Sequence, residues 1–294
     1  MPVRLNHTER SFKHLFTQPS MADQPRGRAD GVAGPVVGMF VASGDPTAAE
    51  ICAGAGFDYL LLDAEHGPFY LEGLISQLRA IAAYPSLSVV RVPRNDAAII
   101  KQVLDAGATS IMVPMVHTVE DARAAAAAMK YPQPGGAGAA GSAVEGVRGV
   151  GSALARSARW GRVPQYLTRA HEIVSLIVQA ESAEAVRNAD KIAAVDGVDA
   201  VFLGPSDLAA SMGYLGQQTH PEVVGAVKEV ISKVRDAGKI VGVNAFDPNQ
   251  ARDYLDAGAH FVNVGADVSI LARGTENLAN EFMPNKGDDN LESY

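Results

Sequence analysis

One junction recurs four times along this chain. Ala53-Gly54-Ala55-Gly56-Phe57, Asp105-Ala106-Gly107-Ala108, Asp236-Ala237-Gly238-Lys239 and Asp256-Ala257-Gly258-Ala259 each put a glycine where a left-handed residue ends a helix, and an apolar run follows each. A helix that repeatedly hands over to a buried strand is the signature of an α/β fold. Strands read from these junctions are Val36–Val41, Tyr59–Leu62, Ser88–Val92, Ser110–Val113, Val174–Val178, Val198–Leu203, Ile240–Val243 and Phe261–Val264. Helical stretches alternate with them, among them Leu71–Ala83, Ala97–Ala106, Val119–Met129, Glu222–Ala237 and Pro248–Ala257. Eight such units predict a (β/α)8 barrel rather than a doubly wound open sheet.

The 294 residues, 47% hydrophobic and 20% charged, suffice for one barrel-sized domain. We place it at 35–284, between a disordered N-terminal tail (1–34, with a possible short helix near Ser11 to Phe16) and a disordered C-terminal tail (285–294). The tail has no continuous apolar stretch of the kind a signal peptide needs, so a cytoplasmic location is expected, with weak organelle targeting left open. A net charge of −8 argues against nucleic-acid and anionic-membrane partners. Cys52 is the only cysteine, which rules out an internal disulfide, and its neighbours Ile51 and Ala53 suggest a packed helix position. Gly136, Gly138 and Gly141 have dinucleotide-fingerprint spacing, but prolines precede them and no strand leads in. The Gly/Ala segment 132–147 reads instead as a mobile loop over the barrel mouth.

Chemistry is expected where the core stops. In Phe57 to Pro68 (FDYLLLDAEHGP) an apolar run suited to a strand buried on both faces passes directly into Asp63, Glu65 and His66. Carboxyl ends of parallel strands are where ligands bind, although an Asp there equally serves as a cap. A second cluster follows the fifth and sixth strands: Gln179 and Glu181, then Asp207 after Gly204-Pro205-Ser206. Two carboxylates on neighbouring strand ends could hold one hard divalent cation and leave room for water and substrate. The alternatives are an N-cap for Asp207 and a strand-end salt bridge for Glu181.

These motifs, with Val90-Arg91-Val92-Pro93, Lys101 to Met115, Arg148-Gly149-Val150-Gly151 and Asn263-Val264-Gly265-Ala266-Asp267, resemble the HpcH/HpaI family of metal-dependent pyruvate aldolases, in the family's order. The resemblance implies a (β/α)8 barrel that exchanges its last helix between subunits of a homo-hexamer, a trimer of dimers. It implies Glu181 and Asp207 as ligands of Mg2+, Mn2+ or Co2+, and Arg91 as the group that holds the pyruvate oxyanion. His66 becomes the base, oriented by Asp63, and Asp105 an acid that reaches the site from a neighbouring subunit. Gln179, Gly204, Pro205, Ser206 and Asp207 match the pyruvate-binding groups. The implied activity is a lyase that cleaves or forms 4-hydroxy-2-oxo acids from pyruvate and an aldehyde. Its chemistry suits these residues, since a histidine near neutral pKa can take a hydroxyl proton while a metal and an arginine stabilise an enolate.

Two positions depart from the bacterial aldolases. Arg94 stands where they typically carry tryptophan and His117 where they typically carry glutamine. Both resemble the macrophomate synthase branch, which decarboxylates oxaloacetate and joins the enolate to a second substrate. Both follow barrel strands and are expected at the mouth, selecting the second substrate, although Arg94 could equally pair with Asp96. A barrel that binds a 2-oxo acid without catalysis is the remaining alternative.

Overall fold

The structure, a computed structural model, describes residues 10–17, 34–68, 70–133 and 144–283. Eight parallel strands close into a barrel in sequence order. They are β1 (Val36–Val41), β2 (Tyr59–Asp63), β3 (Leu87–Arg91), β4 (Ser110–Val113), β5 (Ser175–Ala180), β6 (Ala200–Leu203), β7 (Ile240–Asn244) and β8 (Phe261–Ala266). Around them lie α2 (Pro46–Gly54), α3 (Leu71–Ile81), α4 (Ala97–Asp105), α5 (Val119–Met129), α6 (Tyr166–Ile173) and α7 (Ala183–Ala193). Next come α8 (Pro205–Ser211), α9 (Pro221–Asp236), α10 (Pro248–Asp256) and α11 (Asp267–Phe282), while a four-residue helix α1 (His14–Thr17) precedes the barrel. The expected strands match to within two residues. The recurrent glycines Gly56, Gly107, Gly238 and Gly258 all have φ between 72° and 105°. At Gly107 the Ala108 N–H reaches the Val103 carbonyl and the Gly107 N–H that of Leu104, the double bond of a Schellman cap.

Strand parity separates two cores. Leu60, Leu62, Val90, Ile111, Val113, Leu176, Val178 and Val201 face the helices. Phe40, Tyr59, Leu61, Val89, Met112, Ile177, Phe202 and Phe261 fill the barrel. Large rings need small neighbours in so narrow an interior: a Cβ on Gly38 would strike the Tyr59 ring, and one on Gly242 the Phe261 ring. The same parity carries Asp63 and Arg91, which are register partners, to the inward side at the top of β2 and β3.

The expectation of a disordered tail over 1–34 fails for residues 10–17. The chain there plugs the N-terminal end of the barrel, with Phe12 fully buried and edge-on to Tyr59 (5.2 Å) and Phe261 (4.8 Å). Inward hydroxyls at the strand starts hold its backbone: Ser110 Oγ accepts from Phe12 N–H at 2.9 Å and Ser175 Oγ from Lys13 N–H at 3.0 Å. A hole rimmed by aromatic rings makes burial of one phenyl group worth about 1.5–3 kcal/mol, which fixes the segment. The rest of both expected tails (1–9, 18–33 and 285–294), residue 284 and most of the Gly/Ala loop (134–143) lie outside the described residues.

At the other end of the chain, α11 buries only Asp267, whose carboxylate accepts from the Ala42 and Ser43 N–H groups and ties the helix to the end of β1. Val268, Ile270, Leu271, Leu278 and Phe282 stay exposed along it. Among the described residues, no helix is long and apolar enough to cross a membrane.

Candidate active site

Arg91 is the hub of the barrel mouth. Its Nε and Nη2 donate to the two carboxylate oxygens of Asp63 at 3.0 and 2.7 Å, and its Nη1 lies 3.0 Å from Glu65 Oε2. The guanidinium sits 4.9 Å from the centroid of the Phe40 ring, which supplies an apolar floor. Asp63 also accepts from the backbone N–H groups of Glu65 (3.0 Å) and His66 (3.2 Å), folding the chain into a tight turn. Gly67 closes it, since a Cβ there would meet the carbonyls of Asp63 and Ala42.

His66 is placed differently from expectation. Asp63 bonds its backbone and not its imidazole. The ring is 69% exposed, and its nearest charged neighbour is Glu65, with Nε2 3.9 Å from Oε2. Glu65 thus stands between Arg91 and His66, and its pKa is raised by burial despite the opposing pull of Arg91 and His66. No role for Glu65 is legible from its place in the motif; the turn made by Asp63 brings it inward.

Glu181 follows β5 and is 2% exposed. Its Oε1 accepts from Met115 N–H at 2.8 Å, its Oε2 from the Gln179 amide. Met115 reaches it from a left-handed conformation (φ 55°), a strained geometry at the end of β4 that the sequence did not signal. Gly204 packs against this pair, since a Cβ on it would lie 2.6 Å from Glu181 Oε2 and 2.9 Å from Gln179 Nε2. Asp207 lies in the first turn of α8 but is not its cap, which is Gly204, and no side chain caps that helix. The alternative of an N-cap for Asp207 therefore does not hold. Burial, then the nearby charges of Asp207 and Glu65, push Glu181 up to about 8, against the Met115 N–H and Arg91.

That crowding tests the fit of a cation. Three carboxylates, Glu65, Glu181 and Asp207, repel one another at a mouth with one buried guanidinium, and the Gln179 Oε1 is buried without a hydrogen-bond partner. A divalent ion on Glu181 and Asp207 would relieve this repulsion. Among the described residues no three His, Cys, Asp or Glu side chains form a cage, so two carboxylates would leave positions for water and substrate.

Three further expected residues lie outside this cluster of carboxylates, two of them in strand-to-helix loops at the carboxyl end. Arg94 is 73% exposed and pairs with Asp96 at 3.4 Å, which is the surface alternative. His117 Nδ1 lies 2.7 Å from Ser182 Oγ, the N-cap of α7 and the residue after Glu181, so this ring supports the turn that carries Glu181. Asp105 ends α4 on the opposite side of the barrel from these carboxylates, where Arg148 Nη2 donates to it at 2.8 Å. Arg148 is fully buried, stacked on Tyr131 at 4.4 Å.

A parallel eight-stranded barrel with carboxylates, a buried arginine and a histidine at its carboxyl end has the donor set to stabilise negative charge on a bound carbonyl group. The chain belongs to the HpcH/HpaI aldolase/citrate lyase family, whose model matches residues 36–273. A hydroxypyruvate/pyruvate aldolase of Deinococcus radiodurans is 45% identical over 96% of this chain and 92% of its own. A 4-hydroxy-2-oxo-heptane-1,7-dioate aldolase of Klebsiella pneumoniae is 46% identical over 85% and 91%. A family member from Burkholderia cenocepacia has the same fold, with a TM-score of 0.78, 42% identity and coverage of 84% and 94%. The likeness to macrophomate synthase is one of fold, at 24% identity, TM-score 0.71 and coverage of 94% and 91%. The protein is an aldolase, a carbon–carbon lyase.

Proposed function

We propose that the chain cleaves and forms 4-hydroxy-2-oxo acids, with a pyruvate-type 2-oxo acid as one partner and an aldehyde as the other. The observation that carries this reading is the buried Glu181, held at about 8 beside Asp207 and Glu65. Such repulsion is kept where a cation is part of the working state. Glu181 and Asp207 are its ligands, and Mg2+, Mn2+ and Co2+ all suit two carboxylate oxygens. The bound ion supplies Lewis-acid polarisation of the 2-oxo group.

The protein's own residues do the rest. His66, exposed at the mouth, takes the C4 hydroxyl proton; the C4 oxygen becomes the aldehyde carbonyl and the C3–C4 electron pair moves into the enolate. Arg91, fixed by Asp63 and Glu65, stabilises the charge that gathers on the C2 oxygen. Gly204 and Gln179 shape the floor on which the 2-oxo acid lies. The exposed apolar face of α11 and the Asp105–Arg148 pair suit assembly with further copies, in which Asp105 completes a neighbour's site in a homo-hexamer. The reading is tested by pyruvate release from a panel of 4-hydroxy-2-oxo acids and from oxaloacetate, with added Mg2+ or Mn2+ and again in excess EDTA. Full turnover in EDTA overturns the metal assignment, and no pyruvate from any acid overturns the reaction.

A further inference from the structure

Two neighbouring amides face into the barrel from the ends of β7 and β8. Asn244 and Asn263 are register partners, and Asn263 pairs in turn with Gly38 of β1. Followed around the barrel with the stagger that closes a sheet of this kind, the registers bring Asn244 level with Phe40, Arg91 and Gln179. Asn263 lies one layer deeper, level with Leu61, Met112 and Phe202. Since β3 and β7 stand opposite each other, Asn244 looks across the mouth at Arg91.

Asn263 is fully buried. Among the described residues neither its Nδ2 nor its Oδ1 has a hydrogen-bond partner, and the buried Oδ1 of Asn244 has none. Burying an amide without partners destabilises a fold. The rest of that layer is apolar, so an aliphatic side chain would satisfy packing there. The surroundings leave room for a ligand: β8 bulges between its pairs with Gly38 and Phe40, and a Cβ on Gly265, inside the bulge, would meet nothing within 4 Å. Phe246, two residues beyond Asn244, meets Phe40 edge-on at 6.2 Å and supplies an apolar rim.

A carboxylate offers only acceptors and an alkyl group offers nothing, whereas a hydroxyl both donates and accepts, which is what two unpartnered amide oxygens and an unpartnered NH2 group call for. We propose that Asn244, backed by Asn263, is a specificity-determining residue that binds a hydroxyl group of the substrate. The inference rests on the aldolase reading and deepens it. With C1 and C2 of the 2-oxo acid held between Arg91 and a cation on Glu181 and Asp207, the β7–β8 wall is left for the groups around the reacting carbon. The hydroxyl is therefore carried either by C3 of the 2-oxo acid or by the carbon next to the aldehyde carbonyl.

The test compares kcat/KM of the full-length protein, with Mn2+ added, for near-isosteric pairs. One pair is glycolaldehyde and propionaldehyde, each coupled to pyruvate; the other is hydroxypyruvate and 2-oxobutanoate, each coupled to acetaldehyde. The hydroxylated member should be preferred roughly tenfold or more in at least one pair, the share of a hydrogen bond that its analogue leaves unmade. Preference in the first pair assigns the hydroxyl to the aldehyde, and preference in the second assigns it to C3. Asn244→Leu and Asn263→Val should each bring the ratio close to one without melting below the parent, because each removes unpartnered buried atoms. A purely structural role predicts the reverse, a lower Tm with the ratio intact. Asn244→Ser, which keeps a donor and an acceptor, should retain part of the preference. The inference falls if a parent that releases pyruvate from oxaloacetate shows no preference in either pair, or if Asn244→Leu keeps the parent's ratio. A parent that releases no pyruvate from oxaloacetate or from any 4-hydroxy-2-oxo acid overturns the aldolase reading instead, and this inference with it.

Discussion

Replacing Glu181 by glutamine should make the metal-free protein more stable while removing its activity, and the pH dependence of the gap is calculable. The Glu181 pKa stands at about 8 in place of 4.5. From the ordinary value up to about 8 the folded state keeps a proton that the unfolded chain has released, so stability falls as pH rises through that window. At pH 6 the deficit spans 1.5 units (6 − 4.5) and above pH 8 it spans 3.5 (8 − 4.5); at about 1.36 kcal/mol per unit the difference is roughly 3 kcal/mol. The amide has no such term. It can still accept from Met115 N–H, and a flip of Gln179 offers its unpartnered Oε1 to the new NH2 group. The assay is thermal melting of parent and Glu181→Gln in EDTA from pH 6 to pH 9, where other titrations cancel in the difference. The gap should widen by on the order of 5–10 °C. Added Mn2+ should raise the parent and leave the variant unchanged. Parallel melting curves across the range would refute the buried, destabilised carboxylate.

Four further outcomes follow from the geometry. His66→Ala should lower kcat by roughly 10²–10⁴-fold with metal affinity intact, since the ring faces Glu65 rather than Glu181; a comparable loss of Mn2+ binding would make it a ligand. Gly204→Ala puts a methyl group 2.6 Å from Glu181 Oε2, so metal affinity by calorimetry should fall at a stability cost of about 1–3 kcal/mol, and an unchanged Kd contradicts this. Phe12→Ala unplugs the barrel and should cost about 3–5 kcal/mol, with turnover retained below the melting range; an unshifted Tm would show that the plug contributes nothing. Mixed oligomers of inactive Asp105→Ala and inactive His66→Ala subunits should regain activity through hybrid sites, and none in verified mixtures would place both residues in one subunit's site.

The barrel was legible because its signals are local. Glycines that must be left-handed at Gly107, Gly238 and Gly258 mark helix ends whatever lies beyond them, and the apolar runs between them have strand length. Asp63, Glu181 and Asp207 were legible because they come at or soon after the ends of those runs, whereas Arg91 was marked only by the family resemblance. What stayed hidden depends on contacts between distant residues. Phe12 finds its place only against Tyr59 and Phe261, 47 and 249 positions away (59 − 12, 261 − 12), so SFKHLF read as tail. Glu65 gains its role from the turn that Asp63 folds, and His117 is drawn to Ser182 by a hydrogen bond across 65 residues.

The two ends of the barrel solve different problems with the same parity. At the closed end the inward positions are Ser110, Ser175 and Tyr59, neutral groups: the two serine hydroxyls accept from the backbone of the plug, and the Tyr59 ring meets Phe12 while its hydroxyl donates to the Val262 carbonyl. At the open end the inward positions are Asp63, Arg91 and Gln179, with Glu181 just beyond, and their charges do not cancel: Arg91 pairs with Asp63 and Glu65 and acts on Glu181 from farther off, while the hydrogen-bond donors to Glu181 among the described residues are the neutral Met115 N–H and Gln179 amide. Burying an uncompensated carboxylate lowers stability, and the chain could avoid the cost with glutamine at that position. That it keeps a carboxylate there, floored by a glycine and reached by a strained Met115 N–H, is what a site poised for a cation requires, and it is why the stabilising substitution should also be the inactivating one.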